Sequence, residues 1–465
     1  MLECDVVVIG GGTGGYVCAI RASQLGLRTV LVESDKLGGE CLNYGCIPSK
    51  SLITISKLYE KARGSEKFGL RFTGVSLDFE EMQRWKASVV GKLVVGVESL
   101  LKGNHVSILM GEASLVDRNR VSVTANSQKE EIVAKNIVIA TGTRPIQLPG
   151  IEFDGSTVIG SREALELREA PGDLLIVGGG AIGLEFACMY QKLGSRVTIV
   201  ELMDQLLPGG DPEVVRVVQR KLEERGAKVC LRSKVSSVTK NGRRAVVEVD
   251  SPQGKFSSEA DKILQSVGRA PRVDNMNLKS LGVNTDQRGF IVTDRRMMTS
   301  VDCVYAVGDV RGPPLLAHKA SKEGIVAAEC IAGLPSAADW TVIPETIFTD
   351  PEIASAGLTA DRAAQAGFQV KSVRFPFAAL GRALAAGETE GFVKVVFRAD
   401  TGLVLGVQIV GSEASNMISE VALALEMGAT VEDMAQTIHP HPTFPEAIME
   451  ASESAAGRPI HQLRL

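Results

Sequence analysis

The chain has 465 residues, 45% hydrophobic and 23% charged, an ordinary globular balance with room for several domains. A net charge of −4 and only 5% aromatic residues argue against a nucleic-acid surface, which needs basic faces and stacking rings. No uncharged apolar run reaches membrane length, and the start Met1-Leu2-Glu3-Cys4-Asp5 lacks the basic region of a cleavable leader, so the expectation is a cytoplasmic protein.

Asp5–Ile9 reads as a buried strand, and Gly10-Gly11-Gly12-Thr13-Gly14-Gly15 follows it. A helical pattern, Tyr16–Leu25, and a second strand, Thr29–Val32, then lead to Glu33. Strand, G-x-G-x-x-G (Gly10, Gly12, Gly15), helix, strand and acid form the Rossmann arrangement. The glycines allow a tight turn and let backbone N–H groups approach a pyrophosphate, while the helix N-terminus adds partial positive charge. Glu33 is placed to hydrogen-bond ribose hydroxyls.

The next stretch, Gly38 to Lys50, holds Cys41 and Cys46. On a regular helix, residues five apart lie roughly 140° from each other, so a disulfide between them asks for a distorted turn. Gly45 and Pro48 are residues that spoil a regular helix. Two readings stand on this stretch alone: a dithiol/disulfide pair that cycles, or two unrelated buried cysteines. A long helix over Phe79–Leu101 and strands at 106–109, 120–124 and 136–139 follow, before Ala140-Thr141-Gly142-Thr143-Arg144-Pro145 breaks the last of them.

The half-site then repeats. Asp173–Val177 is a strand, Gly178-Gly179-Gly180-Ala181-Ile182-Gly183 a second fingerprint, Leu184–Leu193 a helix, and Val197–Val200 a strand ending at Glu201. Gly10 to Glu33 and Gly178 to Glu201 are both 23 positions apart, so two different dinucleotides are expected. Glu201 repels a 2′-phosphate, and no Lys or Arg occurs from Leu202 through Val215, so the second site favours NAD over NADP. The first site lies just ahead of the cysteines and suits a flavin, which exchanges electrons with both thiols and nicotinamide.

Farther on, a strand ending in Gly308-Asp309 presents an acid to a sugar or ribityl hydroxyl, or simply caps a turn. Leu315–Ala332 reads as a helix rich in small residues. From Trp340 the texture changes to α+β: strands at 341–348, 370–376, 391–397 and 406–410, a helix over 414–427, and a last helix to about Ala456. Ahead of that helix lies His439-Pro440-His441-Pro442-Thr443-Phe444-Pro445-Glu446, where His441 is either a carboxylate-held general base or a surface-loop histidine.

With these parts in place, the chain resembles the flavoprotein disulfide reductases (class I pyridine nucleotide-disulfide oxidoreductases), and within them the dihydrolipoamide dehydrogenase branch. Ile47-Pro48-Ser49-Lys50 and Gly381-Arg382-Ala383 carry the narrower likeness. The resemblance implies an α/β fold of two Rossmann-like dinucleotide-binding domains plus a C-terminal α+β dimerisation domain. Its divisions would be residues 1–147 (FAD, first part), 148–267 (NAD), 268–338 (completing the FAD site) and 339–465 (dimerisation). It implies FAD along Gly10, Gly12, Gly15, Glu33, Gly39, Lys50, Gly111, Thr141, Gly142, Thr143, Asp309, and Leu315, Leu316, Ala317 and His318. It implies NAD at Gly178, Gly180, Ala181, Ile182, Gly183, Glu185, Glu201, Val235 and Gly268, with a Lys50–Glu185 ion pair beside the flavin.

The implied reaction is oxidation of dihydrolipoyl groups, with electrons passing through a Cys41–Cys46 disulfide and FAD to NAD. It implies a homodimer in which His441, held by Glu446, serves the cysteines of the other subunit. The implied partner is the lipoyl domain of the acyltransferase of a 2-oxo acid dehydrogenase complex. An NAD(P)H-dependent disulfide or mercuric reductase of the same family is the alternative; Glu201 and the absence of any cysteine after Cys330 speak against it. Two departures stand out. Glu40 and Tyr44 replace the family's usual Thr and Val, and an acid beside Cys41 is expected to raise that thiol's pKa. Pro445 replaces a usual Ser ahead of Glu446.

Overall fold

Val6 to Ile9 are buried on both faces of their strand, as happens when helices cover a parallel sheet from either side. In the computed structural model, which describes residues 2–242 and 244–463, that strand runs Leu2–Ile9. Met1, Arg243, Arg464 and Leu465 lie outside the described residues, and with them both outer limits of the sequence-drawn domains. Leu2–Ile9 pairs in parallel with Thr29–Glu33 on one side and Gln128–Ile139 on the other, and Ser107–Met110 extends the sheet beyond Thr29–Glu33. Arg120–Ala125 and Glu112–Leu115 continue it antiparallel. Val304–Ala306, from far along the chain, adds in parallel to Ile137–Ile139 and brings Asp309 to the carboxyl end of the first sheet.

At Gly10 the backbone has φ +104°, and a Cβ would meet the Ala140 carbonyl at 2.4 Å, so the strand-to-helix turn requires glycine. The helix Thr13–Gln24 that follows packs on Ala317–Ile331. Their backbones nearly touch: a Cβ on Gly324 would meet the Gly14 carbonyl at 2.4 Å. This is why the later helix is rich in small residues.

The second sheet is parallel throughout, in the order Lys228–Cys230, Arg196–Val200, Asp173–Val177, Lys262–Gln265, Val158–Ile159. Lys234–Asn241, Arg244–Ser251 and Gly254–Ala260 form a separate antiparallel sheet, packed through Ala245, Val247 and Val249, that sequence inspection did not resolve. The C-terminal unit is a five-stranded antiparallel sheet covered by Ala414–Glu426 and Glu446–Ala455. Of the strand expected over 341–348, only Glu345–Ile347 pairs, because the N–H groups of Thr341 and Val342 donate to the Glu426 carboxylate instead. Among the described residues, no helix is long and apolar enough to cross a membrane.

Candidate active site

Two helices meet at the cysteines. Gly39–Tyr44 ends and Cys46–Arg63 begins at Gly45, whose φ −134° and ψ −107° fit neither helix. This break brings the Cα atoms of Cys41 and Cys46 to 4.8 Å, and the two are bonded as a disulfide. Gly45 alone makes the break. Pro48 was expected to spoil the helix, but it sits in the first turn, where N–H groups have no intrahelical acceptor to lose.

Gly10, Gly12, Glu33, Gly39 and Gly111 line a cavity of about 410 Å³ together with Thr141, Gly142 and Thr143. A second cavity, of about 280 Å³, adjoins it and is lined by Cys41, Cys46, Lys50, Ala181, Ile182, Glu185, Asp309, Leu315 and Ala317. Gly12, Glu40, Tyr44, Gly142 and Thr143 belong to both walls, so the two cavities form one cleft. Gly15 lies beneath the turn, against the Gly10 carbonyl. Leu316 and His318 are not on the walls; the His318 Nε2 lies 2.8 Å from the Pro344 carbonyl, on the side of the C-terminal unit. Glu33 accepts from the N–H groups of Gly11 at 2.6 Å and Asp35 at 2.7 Å.

The cleft fits an extended dinucleotide. A Cβ on Gly12 or Gly142 would meet no atom closer than 3.9 Å and would project into the space itself. The buried Thr141 Oγ1, on the same wall, has no hydrogen-bond partner within the protein. At the inner end, Thr143 Oγ1 donates to Asp309 Oδ2 at 3.4 Å. Burial pushes the Asp309 carboxyl above the usual range, against the opposing fields of Arg269 and Lys319.

Lys50 Nζ lies 2.9 and 2.8 Å from the two oxygens of Glu185, and 4.5 Å from the centre of the Phe348 ring. Glu185 belongs to Ala181–Lys192, the helix of the second fingerprint. There Gly178 has φ +102°, Gly183 packs on the Gly178 carbonyl, and a Cβ on Gly180 would enter open space. Glu201 accepts from Gly179 N at 2.6 Å and Met203 N at 2.8 Å, repeating the geometry of Glu33. Ser233 N donates to the Glu201 carbonyl and Ser266 Oγ to the Gly178 carbonyl, so the segments carrying Val235 and Gly268 start beside the same turn.

His441 Nδ1 lies 2.8 Å from Glu446 Oε1, and the other Glu446 oxygen accepts from Thr443 N at 2.7 Å. Pro445 caps the helix Glu446–Ala455 and does not keep Glu446 from the ring. A proton on Nδ1, facing this carboxylate, would leave Nε2 without one. The pair is not on either cavity wall, and the imidazole side chain is 77% exposed. One chain thus assembles the thiols and the cleft but leaves its histidine turned to the outside.

Sequence reasoning missed the surroundings of Glu40. Its carboxylate bonds Arg162 and lies 3.3 Å from Arg269 Nη2, and Arg269 Nε donates to Thr143 Oγ1 at 2.8 Å. The expected lone acid beside Cys41 is therefore a paired one, and two guanidiniums offset the field it sends toward the thiol. Partners more than a hundred positions apart in the chain leave no local signal.

Paired cysteines in a dinucleotide cleft, with a second dinucleotide fold docked on it, define a nucleotide-dependent disulfide oxidoreductase. Residues 4–324 match the pyridine nucleotide-disulphide oxidoreductase family, and residues 343–452 match that family's dimerisation domain. The chain belongs to this family, whose cofactors are FAD and NAD. It is 45% identical over 460 residues (99% of this chain, 98% of the relative) to a dihydrolipoyl dehydrogenase of Geobacillus stearothermophilus. It is 46% identical over 466 residues, all of both chains, to one of Thermus scotoductus. Among solved structures, LpdA of Mycobacterium tuberculosis superposes with a TM-score of 0.90 at 27% identity, covering 98% of this chain and 99% of that one. The HOCl-induced flavoprotein disulfide reductase RclA of Escherichia coli, in its Cu(II) complex, superposes with 0.87 at 26% identity, covering 98% and 100%.

Proposed function

We propose that this chain is a dihydrolipoyl dehydrogenase: a homodimer that oxidises dihydrolipoyl groups, carried by the acyltransferase of a 2-oxo acid dehydrogenase complex, with NAD as acceptor. The observation that carries the reading is the Cys41–Cys46 disulfide on the wall of a cleft that also holds Gly12, Lys50 and Asp309. Relatives of that name, matched over the whole chain, support it. The other six cysteines are unbonded, in keeping with a reducing cytoplasm.

In this reading Nε2 of His441, from the neighbouring subunit, takes a proton from one thiol of the substrate. The thiolate is the nucleophile. It attacks Cys41, the Cys41–Cys46 bond breaks, and Cys46 leaves as a thiolate. The second substrate thiol then attacks the sulfur joined to Cys41 and passes its proton to the departing Cys41 sulfur, so the substrate departs as a disulfide and the cysteine pair is left reduced by two electrons. Bound FAD would supply the two-electron path from these thiols to NAD. Gly10, Gly12, Glu33 and Asp309 would hold it, Lys50 and Glu185 would flank its ring, and Gly178, Gly180 and Glu201 would hold NAD.

Steady-state assays of dihydrolipoamide against glutathione, each with both nicotinamide coenzymes, test this. Turnover should require dihydrolipoamide with NAD. Strong NADPH-linked reduction of glutathione with no lipoamide activity would refute it.

A further inference from the structure

Arg162 lies on the short helix Ser161–Ala164, which packs on the second sheet, yet its guanidinium reaches the wall of the first cavity. There it is held on two sides. Its Nε lies 3.3 and 3.1 Å from the two oxygens of Glu40, and its Nη2 bonds Glu40 Oε2. Its Cζ sits 4.0 Å from the centre of the Tyr44 ring, while Tyr44 donates to Asp35 Oδ1 at 3.2 Å. Nη1 faces Asp35 Oδ2 at 3.9 Å, and Lys36 Nζ lies 5.3 Å from the centre of the same ring. A planar cation fixed by a carboxylate and an aromatic face keeps little freedom to lose when an anion arrives.

The position of the cluster says which anion. Gly39, next to Glu40, packs on the fingerprint turn so closely that a Cβ on it would meet Gly12 Cα at 2.5 Å. Glu40 and Tyr44 line both cavities, at the waist where they join. A dinucleotide along this cleft has its pyrophosphate at that turn. An unpaired Glu40 there would repel it; Arg162 and Arg269 offset the charge of that acid.

We propose that Arg162, anchored by Glu40 and Tyr44, is a cofactor-positioning residue that clamps the pyrophosphate waist of FAD from the opposite fold, with Arg269 as its second cation. The proposal rests on FAD occupying the first fingerprint. Its ligand class is a flavin dinucleotide, and its effect is on cofactor retention.

The test is titration of deflavinated protein with FAD, followed by flavin fluorescence, for wild type, Arg162→Met and the double variant Glu40→Thr/Arg162→Met. Thermal unfolding of each apoprotein runs in parallel. Arg162→Met should weaken FAD binding about tenfold or more, because it strands Glu40 beside the pyrophosphate, and the deficit should shrink as salt rises. The double variant should recover at most part of that loss, since the repelling acid leaves with the arginine but the clamp is still missing. Equal affinity of wild type and Arg162→Met would overturn the clamp. So would a double variant with full wild-type affinity, which would mark Arg162 as only a counter-ion for Glu40, and so would a loss of affinity matched by a lower apoprotein melting temperature, which would mark it as a tie between folds. Wild-type apoprotein that takes up no FAD would overturn the underlying cofactor reading instead.

Discussion

Lys50 Nζ lies 2.8 Å from Glu185 Oε2, and this bond joins the helix that starts at Cys46 to the helix that starts at the second fingerprint. Phe348, from the C-terminal unit, completes the junction: its N–H donates to Glu185 Oε1 at 3.0 Å and its ring faces Lys50. Three parts of the chain thus converge behind the thiols.

Lys50→Met removes the cation at that junction. It should slow reduction by dihydrolipoamide about ten- to hundredfold, each tenfold being about 1.4 kcal/mol of barrier. Anaerobic stopped-flow absorbance of the flavin measures it. A rate within twofold of wild type would make the pair purely structural.

His441→Gln should lower dihydrolipoamide turnover about 10²- to 10⁴-fold, the usual worth of a positioned base, and Glu446→Gln should lower it less. The exposure of the ring in one chain gives a sharper expectation. Dimers exchanged between Cys41→Ser and His441→Gln preparations should regain activity, because one of their two sites pairs an intact Cys41 with an intact His441 across the interface. Mixed dimers as inactive as either parent would place the histidine elsewhere.

Glu201→Ala strands the buried N–H of Gly179, at about 1–3 kcal/mol for a buried group left unsatisfied, and releases the partly exposed N–H of Met203. The melting temperature should fall. Without the acid, the ratio of kcat/KM for NAD over NADP should also drop about tenfold or more.

His439 supplies a pH test. Its two ring nitrogens face acceptors, Glu420 Oε1 and the Thr437 carbonyl, both at 2.8 Å, a set that suits the doubly protonated ring. The hydrogen bond to Glu420 raises its pKa above 6.5 despite burial. A folded pKa above the unfolded one stabilises fully below about pH 6.5 and loses that contribution as pH rises through the folded value. The gap in melting temperature between wild type and Glu420→Gln should therefore be widest near pH 6 and close toward pH 9. A gap constant with pH would contradict the pairing.

Much of this molecule was legible in its residues because the signals are local. The turn at Gly10 admits only glycine, whichever sheet surrounds it, and the acid at the end of the next strand binds backbone N–H groups a fixed distance back, so Glu33 and Glu201 were found by counting. Cys41, Gly45 and Cys46 lie within one turn of each other, and their spacing left a cycling pair as one of two open readings. Pro48 misled, since its effect depends on its place in a helix whose start Gly45 decides.

Composition and order of residues determined by themselves the two nucleotide folds, the thiols and the choice of NAD. Tertiary structure alone decided that Arg162 and Arg269 converge on Glu40; the contact of Lys50 with Glu185, which the resemblance implied, is also made only there. The physical reason is range: a backbone turn is set by the residues that form it, whereas a charge finds its partner only after distant segments have packed.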